Sequence, residues 1–203
     1  MKSAVFLFDV SGRMAKPWAE AGYECIIVDI QHPEGMETDG NIVKVHADLL
    51  HSVPDILPAK PDFVACFPPC TDLSLSGAAW FKGKGLRRLA DSISMFATAA
   101  DYCESTGAPY LIENPMSTIS TYWRPPDHKF HPCQYSGYHL ADNYTKETWL
   151  WTGGGFVMPP MDMPLDLEID TKYIHNQPPG PERANIRSAT PMGFAKAVFK
   201  YNG

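Results

Sequence analysis

Short apolar runs alternate with helix-like segments over residues 1–113, and this alternation limits the possible folds more than any other feature of the chain. Residues 5–8 form an unbroken apolar run of the kind found in buried strands of parallel sheets. Further strands are predicted at residues 25–28, 41–45, 63–67 and 110–112, and helices at 13–20 and 86–105. Strands that alternate with helices in this way indicate an α/β protein with a doubly wound, mostly parallel sheet.

The chain changes character after Pro115. Ten of its 19 prolines lie between Pro125 and Pro191, so this part is predicted to be rich in turns and loops. Residues 148–151 predict one more strand and 194–199 a closing helix. A length of 203 residues suits one domain. We therefore expect a single domain over 1–203, with a core at 1–115 and a loop-rich part at 116–203.

The composition favours a cytoplasmic protein without a membrane segment. No apolar run approaches the roughly 18–20 residues that span a bilayer. A charged residue occurs as early as Asp9, which is too soon for a signal peptide. Five cysteines at irregular spacing indicate free thiols in a reducing compartment.

The net charge of −6 has the wrong sign for binding nucleic acid by counter-ion release alone. One stretch differs, because no acid lies between Asp72 and Asp91. Four basic residues fall there: Lys82, Lys84, Arg87 and Arg88. They indicate either a solvated loop and helix start or a contact with phosphate.

A cysteine follows two prolines directly after the predicted strand at 63–67. Pro68 and Pro69 make a stiff turn that can hold the Cys70 thiol in one place. The strand at 110–112 ends in Glu113, followed by Asn114 and Pro115. A thiol and a carboxyl at the ends of two strands could serve as nucleophile and general acid. The other cysteines lack such a context; Cys25, Cys66 and Cys103 are expected in the core, and Cys133 is unassigned.

These two segments resemble the catalytic motifs of the cytosine carbon-5 DNA methyltransferases. The resemblance implies that Cys70 attacks carbon 6 of cytosine, while Glu113 binds ring nitrogen 3 and the exocyclic amine. Asn114 would orient the base or support the loop. It also implies the Rossmann-like fold of the methyltransferases that use S-adenosylmethionine.

An acid follows each of the first three predicted strands: Asp9, Asp29 and Asp48. Ligands of open α/β sheets bind beyond the carboxyl ends of the strands, and an acid after the second strand commonly holds ribose hydroxyls. Each acid alone is more often a turn former, but the regular placement suits S-adenosylmethionine. Its carboxylate would lie on the turn at 9–12, where the helix begins, its ribose on Asp29 and its adenine amine near Asp48.

The family resemblance extends over residues 7–12, 20–23 and 28–30, which look like the family's cofactor motif. Val10 and Arg13 stand where the family has glycines. The cofactor residues that the resemblance implies are Phe8, Asp9, Val10, Gly12, Asp29, Ile30, Asp48, Leu49 and Pro69.

Residues 143–151 occupy the place of the family's Gln-x-Arg-x-Arg segment, with Lys146 and Thr148 in place of the two arginines. The substrate residues implied are Pro68, Ser74, Ser76, Arg87, Asn114, Lys146 and Thr148. Arg183 and Arg187 are weaker candidates for contact with a phosphate.

The substrate is left open between cytosine in DNA and a free cytosine nucleotide. Only residues 153–182 could form a target-recognition region, and they are rich in proline and not basic. An interface that reads DNA sequence buries about 1,000 Å² or more, so DNA would be methylated with little sequence preference or with help from a partner subunit or a homodimer. A non-catalytic, cofactor-binding subunit is the alternative class. A metal site at Cys66-x3-Cys70 or His128-x2-His131-x-Cys133 is a further one.

Overall fold

Eight strands form one sheet in the computed structural model, which describes residues 2–203. The strands are β1 (Ser3–Leu7), β2 (Glu24–Asp29), β3 (Met36–Asp39), β4 (Ile42–His46), β5 (Phe63–Cys66), β6 (Tyr110–Pro115), β7 (His128–Phe130) and β8 (Thr148–Gly153). The α-helices are α1 (Ala15–Glu20), α2 (Phe81–Lys84), α3 (Leu86–Thr106), α4 (Ile119–Tyr122), α5 (Arg183–Ser188) and α6 (Met192–Asn202).

The strand order is β3-β4-β2-β1-β5-β6-β8-β7. The five central strands, from β4 to β6, are parallel, whereas β3, β8 and β7 pair in antiparallel fashion. The chain runs outward from β1 in one direction and from β5 in the other, so the topological switch point lies between these two strands. The predicted doubly wound, mostly parallel α/β sheet is confirmed.

Helices cover both faces of the sheet, because the central strands are apolar on both sides. On one face, α1 places Trp18 against Phe63 of β5, with ring centroids 4.3 Å apart, and α6 packs beside it. On the other face, α3 places Phe96 edge-on to Trp151 of β8. These two layers fix the ends of the central strands and therefore the loops that follow them.

Two edge strands were not predicted. All four residues of β3 are exposed, so the strand has no alternation of apolar and polar residues that a sequence pattern could show. Strand β7 has three residues, too few to establish a period. No helix within residues 2–203 is long and apolar enough to cross a membrane.

Candidate active site

The carboxyl ends of the parallel strands bring three loops together at one edge of the sheet. The loop after β1 and the loop after β5 are neighbours, since the Phe67 amide donates to the Leu7 carbonyl over 2.9 Å. The Asp9 amide donates to the carbonyl of Val28 in β2, over 3.3 Å. The crevice between β1 and β5 is the position at which doubly wound sheets bind ligands.

The Cys70 loop is held by backbone hydrogen bonds to the segment that follows β6. The Cys70 carbonyl accepts from the amide of Ser74 over 2.8 Å, which closes a turn around the thiol. Ser74 pairs with Ser117 in an isolated bridge, and the Leu75 amide donates to the Met116 carbonyl over 2.9 Å. The loop that carries the thiol and the segment that follows Glu113 therefore form one unit.

Asn114 links the same two segments through its side chain. Its Nδ2 donates to the Pro68 carbonyl over 2.9 Å, and the side chain is buried. Its Oδ1 is buried without a hydrogen-bond partner. The bond supports the prediction that Asn114 holds the loop, and it leaves one acceptor for a ligand.

Glu113 and Lys146 form an ion pair beside the thiol. Lys146 lies just ahead of β8, which pairs with β6 so that Thr148 is opposite Pro115. Lys146 Nζ lies 3.7 Å from Glu113 Oε1, and the two side chains are 14% and 15% exposed. That distance is longer than a hydrogen bond, and Oε1, which is buried, has no hydrogen-bond partner. The carboxyl is thus paired with a cation, and its Oε1 can still accept or share a hydrogen bond with a ligand.

Charges of both signs act on the Cys70 thiol. Burial raises its pKa above the usual value, and the nearby negative charge of Glu113 raises it further. The positive charges of Lys146 and Arg187 oppose this rise. The thiol is therefore protonated at neutral pH, and its reactivity depends on the cations that face it.

Arg187 also acts on the thiol, although the sequence made it only a weaker candidate for contact with a phosphate. It lies in α5, within the irregular second half, where no strand end or motif marks it. Asn185 of the same helix contacts Gln31 side chain to side chain over 3.5 Å, which places α5 across the edge formed by the strand ends. Arg183, the other candidate, is not part of the site, because its guanidinium donates to the carbonyls of Gln177 and His175.

Two of the four basic residues in the stretch between Asp72 and Asp91 pair with an acid of the Cys70 loop. Lys84 and Arg88 lie 2.9 and 3.2 Å from the carboxylate of Asp72, which is buried. This pairing anchors the Cys70 loop to α2 and α3. Arg87 and Lys82 are exposed at the same end of α3, and the predicted role of Arg87 stays a prediction.

The three strand-end acids all form turns. Oδ1 of Asp9, Asp29 and Asp48 accepts a hydrogen bond from the amide two residues on, over 2.9, 2.7 and 3.0 Å. Asp9 Oδ1 also accepts from the amide of Gly12 over 2.8 Å. The turn amides that were expected to receive a cofactor carboxylate are therefore occupied by the protein's own side chain, which corrects that prediction.

Asp9 is nevertheless an unusual turn former. Its Oδ2 is buried without a partner, and burial raises the pKa of the carboxyl. The residue before it, Phe8, has φ of 58°, and it is the only non-glycine residue within 2–203 with a positive φ. Strained backbone beside an unsatisfied carboxylate oxygen is typical of a binding site.

The remaining predicted residues are distributed around this edge. Leu49 is buried, Val10 and Gly12 lie in the Asp9 turn, and Ile30 and Pro69 are exposed. Ser74 and Ser76 join their hydroxyls over 2.9 Å. Thr148 is buried and its hydroxyl donates to the Lys146 carbonyl over 3.2 Å, so it positions Lys146 and is not free to contact substrate as predicted.

The two spacings considered for metal do not form a metal site. No group of three or more His, Cys, Asp or Glu side chains suited to a metal occurs among the residues that the structure describes. Cys66 instead lies 3.6 Å from Cys103, sulfur to sulfur, in the core between β5 and α3. Cys133 is also buried.

Comparison with known proteins gives only weak similarity. No protein-family model matches the chain, and no curated protein sequence matches it. Among solved structures it is similar to the glycopeptide N-methyltransferase MtfA, with 14% identity over 64% of this chain and 52% of that one, and a TM-score of 0.34. Structures of MtfA with S-adenosyl-L-homocysteine and with S-adenosyl-L-methionine give TM-scores of 0.34 and 0.31, each with 49% of that chain covered. The chain spans about half the length of these structures.

Proposed function

We propose that this protein methylates carbon 5 of cytosine, using Cys70 as the nucleophile and S-adenosylmethionine as the methyl donor. The observation that carries the proposal is the convergence of Cys70, Glu113 and Lys146 at the sheet edge, beside the strand-end acids. A protein that only binds a ligand has no need for a thiol held against a carboxyl and a cation.

The residues at the edge fit S-adenosylmethionine, although by different contacts from those expected. Asp9 Oδ2 is a buried acceptor without a donor, which suits the ammonium group of the cofactor. Asp29 uses one oxygen in its turn, and the other can accept from ribose hydroxyls. When bound, the cofactor supplies an electrophilic methyl group. Phe8, Val10, Gly12, Ile30, Asp48, Leu49 and Pro69 complete the proposed contacts.

The protein's own groups supply the activation of the base. Cys70 releases its proton to water and its sulfur bonds to carbon 6 of cytosine, while Glu113 protonates ring nitrogen 3. The addition makes carbon 5 an enamine carbon, which is nucleophilic enough to be methylated. Water then takes the carbon-5 proton and the sulfur–carbon bond breaks. Ring nitrogen 3 returns its proton to Glu113 and the leaving thiolate is reprotonated, which restores the thiol and the aromatic ring.

Glu113 is positioned to donate this proton, because its Oε1 is buried without a hydrogen-bond partner and can face ring nitrogen 3 of the bound base. Lys146 Nζ lies 3.7 Å from the same oxygen and can donate to the cytosine carbonyl.

Transfer of labelled methyl groups tests the proposal. The substrates are duplex DNA, single-stranded DNA, dCMP, dCTP and CMP, and the proteins are wild type, Cys70→Ala and the control Cys25→Ala, which changes a buried cysteine beside α1. We expect transfer to at least one substrate by wild type and control, and none by Cys70→Ala. Cofactor binding without transfer to any of them would favour a non-catalytic subunit.

A further inference from the structure

Arg187 is a cation in the site without a structural task of its own. Its residue is half-buried, and its Nε is buried without a hydrogen-bond partner. Within residues 2–203 it forms no ion pair, whereas Lys84, Arg88, Arg124 and Lys146 each have an acidic partner. A cation with a buried and unpartnered N–H is stabilised when an anion meets it. The geometry therefore calls for an anionic group of a ligand.

The position of Arg187 beside the thiol indicates which group this is. The Cys70 sulfur must approach carbon 6 of the base, and carbon 6 adjoins the ring nitrogen that carries the sugar. In the anti conformation that pyrimidine nucleotides prefer, the 5′ carbon of the sugar lies on the carbon-6 side. Helix α5 is held over the strand ends by the contact between Asn185 and Gln31, and the charge of Arg187 acts on the Cys70 thiol. Arg187 is therefore on the side of the site where the 5′-phosphate of the same nucleotide would lie.

The surface on the Lys146 side of the site is unfavourable for a polyanion. Residues 153–182 contain five acids and one lysine, and this acidic segment packs directly beside Lys146. The Thr145 amide donates to the Asp170 carbonyl over 3.2 Å, and the Asp170 amide donates to Asn143 over 2.8 Å. Tyr173 stacks on Tyr144 with centroids 4.3 Å apart. A DNA backbone at this border would meet negative charge where nucleic-acid-binding proteins place positive charge.

We infer that Arg187 binds the 5′-phosphate of the target nucleotide and that the substrate is a free cytosine mononucleotide. This rests on the proposed function for its choice of base. A guanidinium suits the role because it binds phosphate through two parallel hydrogen bonds. One arginine binds the single phosphate of a mononucleotide, and the acidic segment then excludes longer nucleic acid from the site.

Calorimetric binding tests the inference without depending on methyl transfer. The ligands are deoxycytidine, its 5′-monophosphate, its 3′-monophosphate and a cytosine-containing single strand, each with S-adenosylhomocysteine present. We expect the 5′-monophosphate to bind at least about 10-fold more tightly than the other three, which corresponds to about 1.4 kcal/mol or more.

Arg187→Gln should remove that difference and leave deoxycytidine and S-adenosylhomocysteine binding unchanged. Lys60→Gln is the control, because it removes the same charge from an exposed residue ahead of β5, at the opposite edge of the sheet. The inference is overturned by equal binding of the 5′- and 3′-monophosphates, by tighter binding of the single strand, by a 5′-phosphate preference that survives Arg187→Gln, or by failure of all cytosine ligands to bind. A normal 5′-phosphate preference without methyl transfer would sink the proposed reaction and leave this inference standing.

Discussion

At the residue scale, the charges of one carboxylate and two cations act on the Cys70 thiol in opposite directions. The balance between them decides how readily the thiol loses its proton and reacts. Burial and Glu113 raise its pKa, and Lys146 and Arg187 lower it. A ligand that protonates or neutralises Glu113 removes one of the two effects that keep the proton on sulfur. Binding of the base and activation of the nucleophile are thus coupled through a single carboxyl.

Alkylation of Cys70 measures this balance directly. Glu113→Gln should speed alkylation by iodoacetamide at pH 7, because it removes a negative charge beside the thiol. Lys146→Gln should slow it for the opposite reason. Each change is expected to be up to about tenfold, the effect of one pKa unit. Mass spectrometry of the Cys70 peptide gives the rates; equal rates in the two variants would contradict the electrostatic account.

Asp9 is predicted to cost stability for the sake of binding. Its pKa is raised above the usual 3.8 mainly by burial, so the folded state holds this proton more tightly than the unfolded state. The stabilisation from the protonated carboxyl is complete below pH 3.8 and is lost as the pH rises through the folded-state pKa. Asp9→Asn keeps an acceptor at Oδ1 and removes the buried charge.

We therefore expect Asp9→Asn to raise the free energy of unfolding at pH 7 by up to about 1–3 kcal/mol and to weaken S-adenosylhomocysteine binding. Urea unfolding from pH 3 to 8 should show the stability gain growing with pH. A variant less stable than wild type at pH 7 would show that the second oxygen is already satisfied.

Among the elements, the closing helix α6 is fixed by close contacts that a single substitution can test. Helix α6 packs against the segment around Tyr135 at a position where no side chain fits. A Cβ added at Gly193 would lie 2.3 Å from the Tyr135 carbonyl oxygen, and the Gly193 amide donates to the buried carboxylate of Asp142. Asp142 in turn belongs to the turn that leads to Lys146.

Gly193→Ala should lower the free energy of unfolding by about 1–3 kcal/mol, as overpacking does. Lys196→Ala, at an exposed position of the same helix, should change it little. Thermal unfolding compares the two. Equal stability of both variants would mean that α6 can shift away from Tyr135 without cost.

Elements were predictable from sequence where they are long and apolar. The helix expected at 86–105 is α3 at Leu86–Thr106, because its apolar residues recur with helical spacing over several turns. The exposed β3 and the short β7 lack any such pattern. Helix α5 has six residues and none of them is buried, so nothing in the sequence indicated that it would carry Arg187 to the site.

At the scale of the whole molecule, parallel pairing explains why half of the site was predictable. Parallel strands end at the same edge, so residues at or just after the carboxyl ends of β1, β2, β5 and β6 share that edge, as Asp9, Asp29, Cys70 and Glu113 do. The second half of the chain contributes Lys146 and Arg187, and their positions depend on contacts between irregular segments and the sheet. The ion pairs of Lys84 and Arg88 with Asp72 were not predicted for a related reason, because the burial of Asp72 follows from packing and not from a local pattern.

A covalent complex between Cys70 and cytosine is the most direct test of the account. With 5-fluorocytosine, no carbon-5 proton is available, so elimination cannot release the enzyme after methylation. The protein is incubated with S-adenosylmethionine and this base as a 5′-monophosphate, in a single strand and in a duplex, and its mass is measured. We predict an adduct of the methylated base on Cys70, absent from Cys70→Ala. Methylation of cytosine in any of these substrates without an adduct, or an adduct on another residue, would contradict the assignment of Cys70 as the nucleophile.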